Sequence, residues 1–419
     1  MRYYTIFTRF TVKKFDIPVL YRSSFIAQIK ELRKQNDPRK KDFSPTMLDF
    51  GTVKFLLARH FGFCYGVENA VEIAYRALAE NPDKRVFLLS EMIHNPTVNE
   101  DLQANGITYI MDNSGKQLIS WDEITSDDIV ITPAFGTTIA IENILTAKGI
   151  EPKQYNTTCP FVEKVWNASN KIGTQGYTLI LHGKPTHEET RATFSHGSQD
   201  APTVIVKDMS DSQVLAEIML KKRPILDFFS HFKGNFSDGF DPEIHLEKIG
   251  VVNQTTMLAE ETQQIADFFK GIQVEKYGDA VLKNHFADTR HTLCYATQEN
   301  QEATHQLLQA SAQIAIVIGG YNSSNTSHLV ELCEAKLPTF YISSADEIRS
   351  ETAINHYNYH EKRHLTTQNY LPAQPCPTII ITSGASCPDT MIDAVIDKLL
   401  GFYSPEKSKE QVLEQLNTH

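Results

Sequence analysis

From about residue 52 onward, short runs of apolar, β-branched residues alternate with longer stretches in which apolar residues recur every three or four positions. The first pattern is typical of buried strands, as in RVFLLS, DDIVITPA, YTLILHG and TVIVKD. The second is typical of amphipathic helices, as in TTIAIENILTAKG and LAEETQQIADFFKGI. Strands that alternate with helices indicate an α/β fold with mainly parallel sheets. Further runs such as QIAIVIGG, PTFYISS and PTIIITSGAS lead us to expect several sheets rather than one.

Two stretches interrupt this alternation. The segment DFFSHFKGNFSDGFDPEIH, residues 227–245, is rich in Phe, Gly, Asp and Ser, and we predict a surface insertion or long loop there. The C-terminal stretch SPEKSKEQVLEQLNTH is polar and is predicted to be helical or frayed. We therefore divide the chain into a basic N-terminal extension, three α/β domains and a polar tail, with bounds at 1–51, 52–158, 159–292, 293–403 and 404–419.

Charge is distributed unevenly along the 419 residues. The formal net charge of −11 argues against a general nucleic-acid binder, yet residues 1–41 carry 11 Lys or Arg against 3 Asp or Glu. We predict a solvated, partly helical arm there, with a docking patch for an acidic partner as the alternative. Because no apolar run approaches the roughly 20 residues of a membrane span, we expect a cytoplasmic protein without membrane contact. A cleaved organellar transit peptide is the alternative for the N-terminal stretch.

Three of the six cysteines share one local setting. Cys64, Cys159 and Cys294 each lie at the turn into a predicted helix, where the helix N-terminus favours a thiolate. No C-x-x-C pair exists in the chain, which argues against a zinc ribbon or a thioredoxin-like site. Three thiolates without a nearby fourth suit an iron-sulfur cluster with one open iron. Small buried hydrophobic side chains are the alternative for each cysteine taken alone.

The other three cysteines are less informative. Cys333 follows the apolar face of a predicted helix, so we expect it in the core, and Cys376 lies in a predicted loop. Cys387, in TSGASCPDT, also lies at a turn from strand to helix. Spacing alone therefore leaves Cys387 as a competing ligand.

Polar side chains follow several of the predicted strands. In GGYNSSNTSHLVELC a strand, a Gly pair and a run of hydroxyl and amide donors precede a helix, which is the arrangement of a phosphate cradle but not of a Walker loop. In HEET, a carboxyl group beside a bound anion would have its pKa raised, so Glu189 is a candidate proton donor. A solvated glutamate at a helix start is the alternative for Glu189. The expected ligand is a phosphate ester or diphosphate.

The stretches GFCYGVENA, IHNPTV, TTCPFVEKV, HEET, QTT, CYATQENQEA, NSSN and GASCPD resemble, in this order, motifs of the 4-hydroxy-3-methylbut-2-enyl diphosphate reductase family over about residues 52–403. The resemblance implies a trefoil-like arrangement of three α/β domains around a central cavity with a [4Fe-4S] cluster. It matches Cys64, Cys159 and Cys294 to the cluster ligands and leaves Cys387 without such a role. The implied reaction is reductive dehydroxylation of the allylic diphosphate to isopentenyl and dimethylallyl diphosphates, the last step of the non-mevalonate isoprenoid pathway. Its electrons come from a donor such as ferredoxin or flavodoxin.

The same resemblance implies roles for further residues. Glu189 matches the proton donor, and the matched substrate-binding residues are His94, His187, Thr255, Ser323, Ser324, Asn325 and Ser386. One departure is clear, because TPAFGTT places Phe135 where many family members have a diphosphate-binding histidine, and a phenyl ring cannot donate a hydrogen bond. That contact is either lost or supplied by His182 or Thr137. Longer plastid-type members resemble the chain at this position.

Two functions of other classes are kept as alternatives. One is a Cys-His hydrolase or thiol transferase that uses Cys159 near His187 on a phosphorylated substrate. The other is a non-enzymatic, metal-binding regulatory protein. The colour of anaerobically purified protein separates them, because an iron-sulfur protein is brown and the hydrolase is colourless.

Overall fold

The computed structural model describes residues 15–287 and 292–417. Residues 1–14 of the predicted extension and 418–419 of the predicted tail lie outside this range. The strands, in chain order, are β1 (Thr46–Asp49), β2 (Lys54–Leu57), β3 (Val86–Leu88), β4 (Ile107–Tyr109), β5 (Ile129–Ile131), β6 (Thr178–His182), β7 (Thr203–Val206), β8 (Ile249–Asn253), β9 (Ile314–Ile318), β10 (Thr339–Ile342), β11 (Ala353–Asn358), β12 (Arg363–Gln368) and β13 (Thr378–Ser383).

These strands form three sheets with parallel pairing and one antiparallel hairpin. The first small sheet has the order β4-β3-β5 and the second the order β7-β6-β8, and all their pairs are parallel. The largest sheet has the order β1-β2-β13-β9-β10 and is parallel except for the edge strand β1, while β11 and β12 form the hairpin. The predicted α/β class with mainly parallel sheets is confirmed.

The α-helices are α1 (Ser24–Asn36), α2 (Tyr65–Glu80), α3 (Pro96–Ala104), α4 (Ile139–Ala147), α5 (Pro160–Gly173), α6 (Glu188–Gly197), α7 (Met209–Met219), α8 (Leu226–His231), α9 (Pro242–His245), α10 (Ala259–Tyr277), α11 (Tyr295–Leu307), α12 (Ser324–Glu334), α13 (Asp389–Tyr403) and α14 (Lys409–Asn417). Short 3-10 helices span Val19–Tyr21, Trp121–Glu123, Asp279–Asn284 and Ala345–Glu347. Local sequence explains several of the starts, because Asn95, Asp208 and Ser323 cap α3, α7 and α12 with their side-chain oxygens. Among the described residues, no helix has the length and hydropathy that a membrane crossing needs.

The chain passes from one sheet to the next at three points, and each point is followed by a helix. After β2 of the large sheet, α2 packs into the core of the β4-β3-β5 sheet. After that sheet, α5 packs into the core of the β7-β6-β8 sheet, and α11 then returns the chain to the core of the large sheet. The N-termini of α2, α5 and α11 therefore lie where the three sheets meet.

Two segments predicted to be peripheral contribute to the core. In α1 of the basic extension, Phe25, Ile26 and Ile29 are buried against the large sheet, so the predicted helix is confirmed but only one of its faces is solvated. In the 227–245 segment, Phe228 and Phe232 are buried beside the β7-β6-β8 sheet. The prediction of a surface insertion or long loop was wrong there, because α8, α9 and their aromatic side chains close one side of that sheet.

The strand pairing also bears on the proposed division of the chain. Strand β2 was assigned to the first domain and β1 to the N-terminal extension, but both belong to the sheet that β9, β10 and β13 of the third domain build. The apolar side chains of β2 pack in the core of that sheet, which contains Phe55, Leu56 and Leu57. The remaining boundaries stay predictions.

Candidate metal centre and anion site

A cavity of about 90 Å³ lies where the three sheets meet. Strand ends and helix starts from all three sheets line it. Of the residues selected from the sequence, those that line it are Cys64, His94, Phe135, Cys159, Glu189, Thr255, Cys294, Ser323, Ser324, Asn325 and Ser386. Positions that are up to several hundred residues apart in the sequence thus form one site.

The three lining cysteines are the N-cap residues of α2, α5 and α11. Backbone hydrogen bonds hold each one to another loop of the cavity, because the N–H groups of Cys64, Cys159 and Cys294 donate to the carbonyl oxygens of Ala385, Ala134 and Thr255 at 3.1, 2.9 and 3.4 Å, respectively. The helix starts also present N–H groups to the sulfur atoms. This setting favours thiolates at all three positions once a cation is present.

The three sulfur atoms are close enough to influence one another. Burial is the largest cause that raises the pKa of Cys294, to about 12, and the charge of Cys64 adds to it. Burial and the charge of Cys64 likewise raise the pKa of Cys159 well above the usual value of a thiol. Three thiolates in one buried site repel each other, so a metal group is needed to keep all of them ionised.

Gly66 leaves the space that the thiols occupy. A Cβ atom at this position would lie 2.6 Å from Sγ of Cys159 and 4.0 Å from Sγ of Cys64. Only glycine therefore allows the first turn of α2 to approach the cysteines this closely. The structure thus gives Gly66 a role in making room for the sulfur atoms.

The other cysteines lie apart from this centre. Cys333 and Cys387 are fully buried in the core of the large sheet, and Cys376 is exposed. The predictions for Cys333 and Cys376 are confirmed. Cys387 does lie just before a helix, but it is not among the residues that line the cavity. It is therefore no longer a competing ligand.

Glu189 is the acidic residue of the cavity and is almost completely buried. It accepts hydrogen bonds from the N–H and the hydroxyl group of Thr255, at 2.5 and 2.9 Å. Burial is the largest influence and raises the pKa of Glu189 to about 7, although the bonds from Thr255 act in the opposite direction. The pKa is raised as predicted, but desolvation rather than a neighbouring anion is the main cause.

His94 stands at one wall of the cavity, between an aromatic ring and a carboxylate. Its ring stacks on Phe135, with centroids 4.2 Å apart and planes inclined by 26°. Its Nε2 atom lies 3.2 Å from Oε2 of Glu188, and both residues are buried. The sequence alone suggested no role for Glu188, the first glutamate of HEET, because its partner His94 is distant in the sequence.

His187 was predicted to bind substrate, and it lies next to this wall without lining the cavity itself. Its ring makes edge contacts with His94 and Phe135, at centroid distances of 4.9 and 5.5 Å. The backbone N–H of Glu189 donates to Nδ1 of His187, so the hydrogen of the neutral ring is on Nε2. That buried Nε2 has no hydrogen-bond partner among residues 15–287 and 292–417, and burial followed by the charge of His94 lowers the pKa of His187 to about 3. His187 is therefore a neutral donor.

The loop before α12 supplies neutral donors on another side of the cavity. Oδ1 of Asn325 accepts from the N–H of Ala385 at 2.9 Å, while its buried Nδ2 atom has no partner in the part of the chain that the structure describes. The oxygen of Ser323 accepts from the N–H and the hydroxyl group of Thr326, and no acceptor for its own hydrogen is found among the described residues. Ser324 begins the helix, and its oxygen is 3.4 Å from Nε2 of His328. Unpaired donors at a helix N-terminus are suited to an anion.

Neither residue suggested as a substitute for a histidine at position 135 lines this cavity. His182 is completely buried and contacts Thr262 at 3.0 Å through Nδ1. Thr137 lines a neighbouring cavity of about 280 Å³ instead. Neither position therefore supports the suggestion that one of these side chains takes over the contact, and His182 is directed towards α10.

The hydrolase alternative required Cys159 and His187 to act together. Among residues 15–287 and 292–417, no hydrogen bond joins their side chains, and Nδ1 of His187 is already occupied by a backbone N–H. The three thiols instead have one another as neighbours. The described residues therefore do not show the pairing of Cys159 with His187 that this alternative requires.

Known proteins are similar to this chain in sequence and in fold. The 4-hydroxy-3-methylbut-2-enyl diphosphate reductase of Trichormus variabilis is 38% identical over 383 residues, which cover 91% of this chain and 90% of that protein. The protein of the same name from Synechococcus sp. strain CC9902 is 40% identical over 357 residues, covering 84% and 86% of the two chains. A solved reductase structure from Plasmodium falciparum matches with a TM-score of 0.61 and 20% identity, over 88% of this chain and 98% of that one, and supports the fold assignment.

The match to a known family extends over the elements that build the cavity. Residues 55–400 match the model of the family described as LytB protein, from β2 to α13. This range contains all three cysteines at helix starts, Glu189 and the loop before α12. The chain belongs to the LytB protein family.

Proposed function

We propose that this chain is an iron-sulfur-dependent oxidoreductase that converts 4-hydroxy-3-methylbut-2-enyl diphosphate to isopentenyl and dimethylallyl diphosphates. The observation that carries the proposal is the convergence of three helix-capping thiols and a buried acid in one cavity. The names of the relatives at 38–40% identity support the substrate and the reaction. Because these relatives align with most of the chain, we assign their reaction to this protein as well.

The residues of the cavity fit a [4Fe-4S] cluster. Cys64, Cys159 and Cys294 would hold it, and the space above the absent side chain of Gly66 accommodates the sulfur atoms. A set of three thiolates leaves one iron of such a cluster without a protein ligand. When bound, the cluster would supply electrons and a Lewis-acidic iron to the cavity.

The diphosphate group has a set of donors at the other side of the cavity. Among the described residues, Nδ2 of Asn325 has no hydrogen-bond partner and the hydroxyl group of Ser323 makes hydrogen bonds only as an acceptor, and both lie at the start of α12. Ser386 donates to the carbonyl oxygen of His94 at 3.0 Å and so joins two loops that line the cavity. These groups bind and orient the anion so that the rest of the substrate extends towards the cysteines.

Glu189 is the proton donor in this proposal. Because its pKa is raised to about 7, a substantial fraction carries a proton near neutral pH. The hydroxyl group of Thr255 is 2.9 Å from Oε2 of Glu189 and also lines the cavity, so a proton on that oxygen can reach the substrate directly or through Thr255. Loss of the allylic hydroxyl group as water consumes two protons and two electrons overall. The electron donor we expect is of the ferredoxin or flavodoxin class.

The test combines cofactor content with turnover. Anaerobically purified protein is expected to be brown, to contain iron and sulfide, and to reduce the allylic diphosphate with a chemical reductant. The Glu189→Gln variant should keep its colour and its substrate affinity but lose most of its turnover, since the amide preserves shape without an acidic proton. Glu260→Gln is the matched control, because Glu260 is an exposed acid in the first turn of α10. Colourless protein would refute the proposal, and brown protein without turnover would favour a regulatory role.

A further inference from the structure

Each cysteine of the cavity is followed by an aromatic residue. Tyr65 and Tyr295 are the first residues of α2 and α11, and Phe161 is the second residue of α5. The three cysteines line the cavity, whereas Tyr65, Phe161 and Tyr295 do not. Tyr65 is 39% exposed, and the other two residues are partly buried. The three aromatic residues therefore lie outside the cavity and reach the protein surface next to the cysteines.

These three residues also contact one another, and we call them the aromatic collar. The ring centroids of Phe161 and Tyr295 are 4.8 Å apart. The phenol group of Tyr295 lies near the sulfur atom of Cys64 and the backbone N–H of Tyr65. Because every member of the collar is one or two residues from a cysteine, the collar is a short path between the surface and the three sulfur atoms.

A positively charged segment lies beside the collar. Residues 30–41, which we call the basic segment, carry six Lys or Arg and two Asp or Glu. Nζ of Lys30 is 4.7 Å from the ring centroid of Phe61, and a Cβ atom on Gly62 would lie 2.8 Å from the same Nζ. Lys30 therefore contacts the loop that leads to Cys64.

The other end of the basic segment reaches the start of α11. Glu299 lies one turn after Tyr295, and the charge of Lys40 acts on its carboxyl group. Nδ1 of His60 is 3.2 Å from Oε2 of Glu299, which joins this turn to the loop before Cys64. The basic segment thus extends along two of the three helix starts that carry the collar.

The exposed end of the basic segment has cations without acidic partners. Within α1, the cations of the segment have acidic partners at 2.7–3.8 Å. Arg39, Lys40 and Lys41 follow α1, are exposed, and form no ion pair with any residue that the structure describes. One face of α1 is buried against the large sheet, which holds these cations beside the collar.

We propose that the aromatic collar and the basic segment form the docking surface of a small acidic carrier protein that delivers electrons one at a time. The inference rests on the proposed function, because that reaction needs two electrons from outside the chain. Two carrier molecules each lose one electron, and two electrons with two protons balance release of the allylic hydroxyl group as water. The formal net charge of −11 repels an acidic partner from the rest of the chain, so the basic segment directs its approach.

The first measurement is the Kd of the cluster-containing full chain for oxidised [2Fe-2S] ferredoxin, an acidic one-electron carrier, by calorimetry at low and moderate salt. The basic variant combines Arg39→Gln, Lys40→Gln and Lys41→Gln. At low salt we expect its Kd to be about tenfold higher than that of the parent, because three favourable charge contacts are lost. The Kd of the parent should also rise more steeply with salt, which screens charges. An equal Kd for both proteins would overturn the proposal.

The matched control variant replaces Lys221, Lys233 and Lys270 with glutamine. These exposed lysines lie beside the β7-β6-β8 sheet and form no ion pair with a described residue. The control variant loses the same charge as the basic variant, yet it should bind ferredoxin as the parent does. A similar loss of affinity in both would show that net charge alone governs binding, and the docking surface would be refuted.

Tyr65→Leu tests the collar. We expect a Kd about fivefold higher than that of the parent, because exposed aromatic residues often contribute strongly to an interface. Phe229→Leu is the control, since Phe229 in α8 is 41% exposed and lies beside another sheet. Iron content and thermal unfolding show whether each variant is intact. An unchanged Kd in intact Tyr65→Leu would remove the collar from the docking surface.

Carbodiimide coupling locates the surface without any substitution. It links a lysine amine to a carboxylate that it contacts, so ferredoxin should become linked to Lys40 or Lys41 of the parent, as identified by peptide mass spectrometry. Links mainly to Lys221 or Lys270 would place the carrier elsewhere and overturn the proposal.

Turnover distinguishes this inference from the function on which it rests. Reduced methyl viologen is a small molecule that needs no docking surface, so kcat with it should be the same for the parent, the basic variant and the control variant. With reduced ferredoxin, only the basic variant should be slow. If the parent is active with methyl viologen but ferredoxin serves the parent and the basic variant equally, only the docking surface is refuted. A parent without iron and sulfide would refute both proposals.

Discussion

Replacement of Gly66 by alanine tests whether the three thiols form the cofactor site. Gly66 lies in the first turn of α2, where alanine alone would stabilise a helix by about 0.5–1 kcal/mol. The added Cβ atom, however, would lie 2.6 Å from Sγ of Cys159 and 3.3 Å from its Cβ. Ordinary contacts between such atoms are about 3.5–4.0 Å, so Cys159 has to move by about 1 Å.

A movement of this size is large for a metal ligand, since ligand distances are held within about 0.2 Å of their preferred values. The backbone of Cys159 cannot follow freely, because its N–H is bonded to the carbonyl oxygen of Ala134 and Pro160 begins the helix. We therefore expect Gly66→Ala to lose most of its iron and sulfide. Overpacking of about 1–3 kcal/mol offsets the helical gain, so the chain should remain folded.

The assay is iron and acid-labile sulfide per chain after anaerobic purification, together with visible absorbance and thermal unfolding. Gly271→Ala is the matched control, because Gly271 lies within α10 and no atom would come within 4 Å of its added Cβ. That variant should keep its cofactor and gain about 0.5–1 kcal/mol in stability. Full iron and sulfide content in Gly66→Ala would show that Cys159 does not hold the cofactor where we place it.

Three other predictions concern individual side chains. Cys294→Ser should lose stable cluster binding, whereas Cys333→Ser, in the core of the large sheet, should retain full iron and sulfide. Equal iron and sulfide contents in the two variants would show that Cys294 is not a cluster ligand. Turnover of the parent should fall as the pH rises through about 7, because the pKa of Glu189 is raised to that value and its protonated form is the active one. A flat pH profile of the parent, like that of Glu189→Gln, would contradict this prediction. His182→Ala should leave the Kd for diphosphate unchanged within about twofold, because the His182 ring contacts Thr262 and does not line the cavity. A tenfold increase in Kd, about 1.4 kcal/mol, would show that His182 reaches the anion.

Local sequence was sufficient for features that depend on neighbouring residues. Alternation of apolar runs predicted the parallel strands, and turn residues before periodic stretches predicted helix starts at Cys64, Cys159 and Cys294. Both depend on backbone preferences within a few residues. The resemblance in motif order then indicated the residues of the site. These residues line the cavity, except for His187, which lies just outside it.

The prediction for residues 227–245 failed because composition was given more weight than the spacing of its aromatic residues. Gly, Asp and Ser indicated a loop, yet Phe228, Phe232 and Phe240 lie together in the core beside the β7-β6-β8 sheet. The number of aromatic side chains that a sheet needs to cover its face is not visible in the segment itself. Burial there is decided by the sheet on which the segment packs.

Only the tertiary structure decided the contacts between loops of different sheets. The pairing of Glu188 with His94, the stacking of His94 on Phe135 and the space above Gly66 all join residues that are distant in the chain. Each depends on how α2, α5 and α11 cross from one sheet to the next. Sequence by itself determined which side chains were available at the strand ends and helix starts. Their partners followed from packing, because distances of 3–4 Å between loops depend on the positions of whole sheets and not on local propensity.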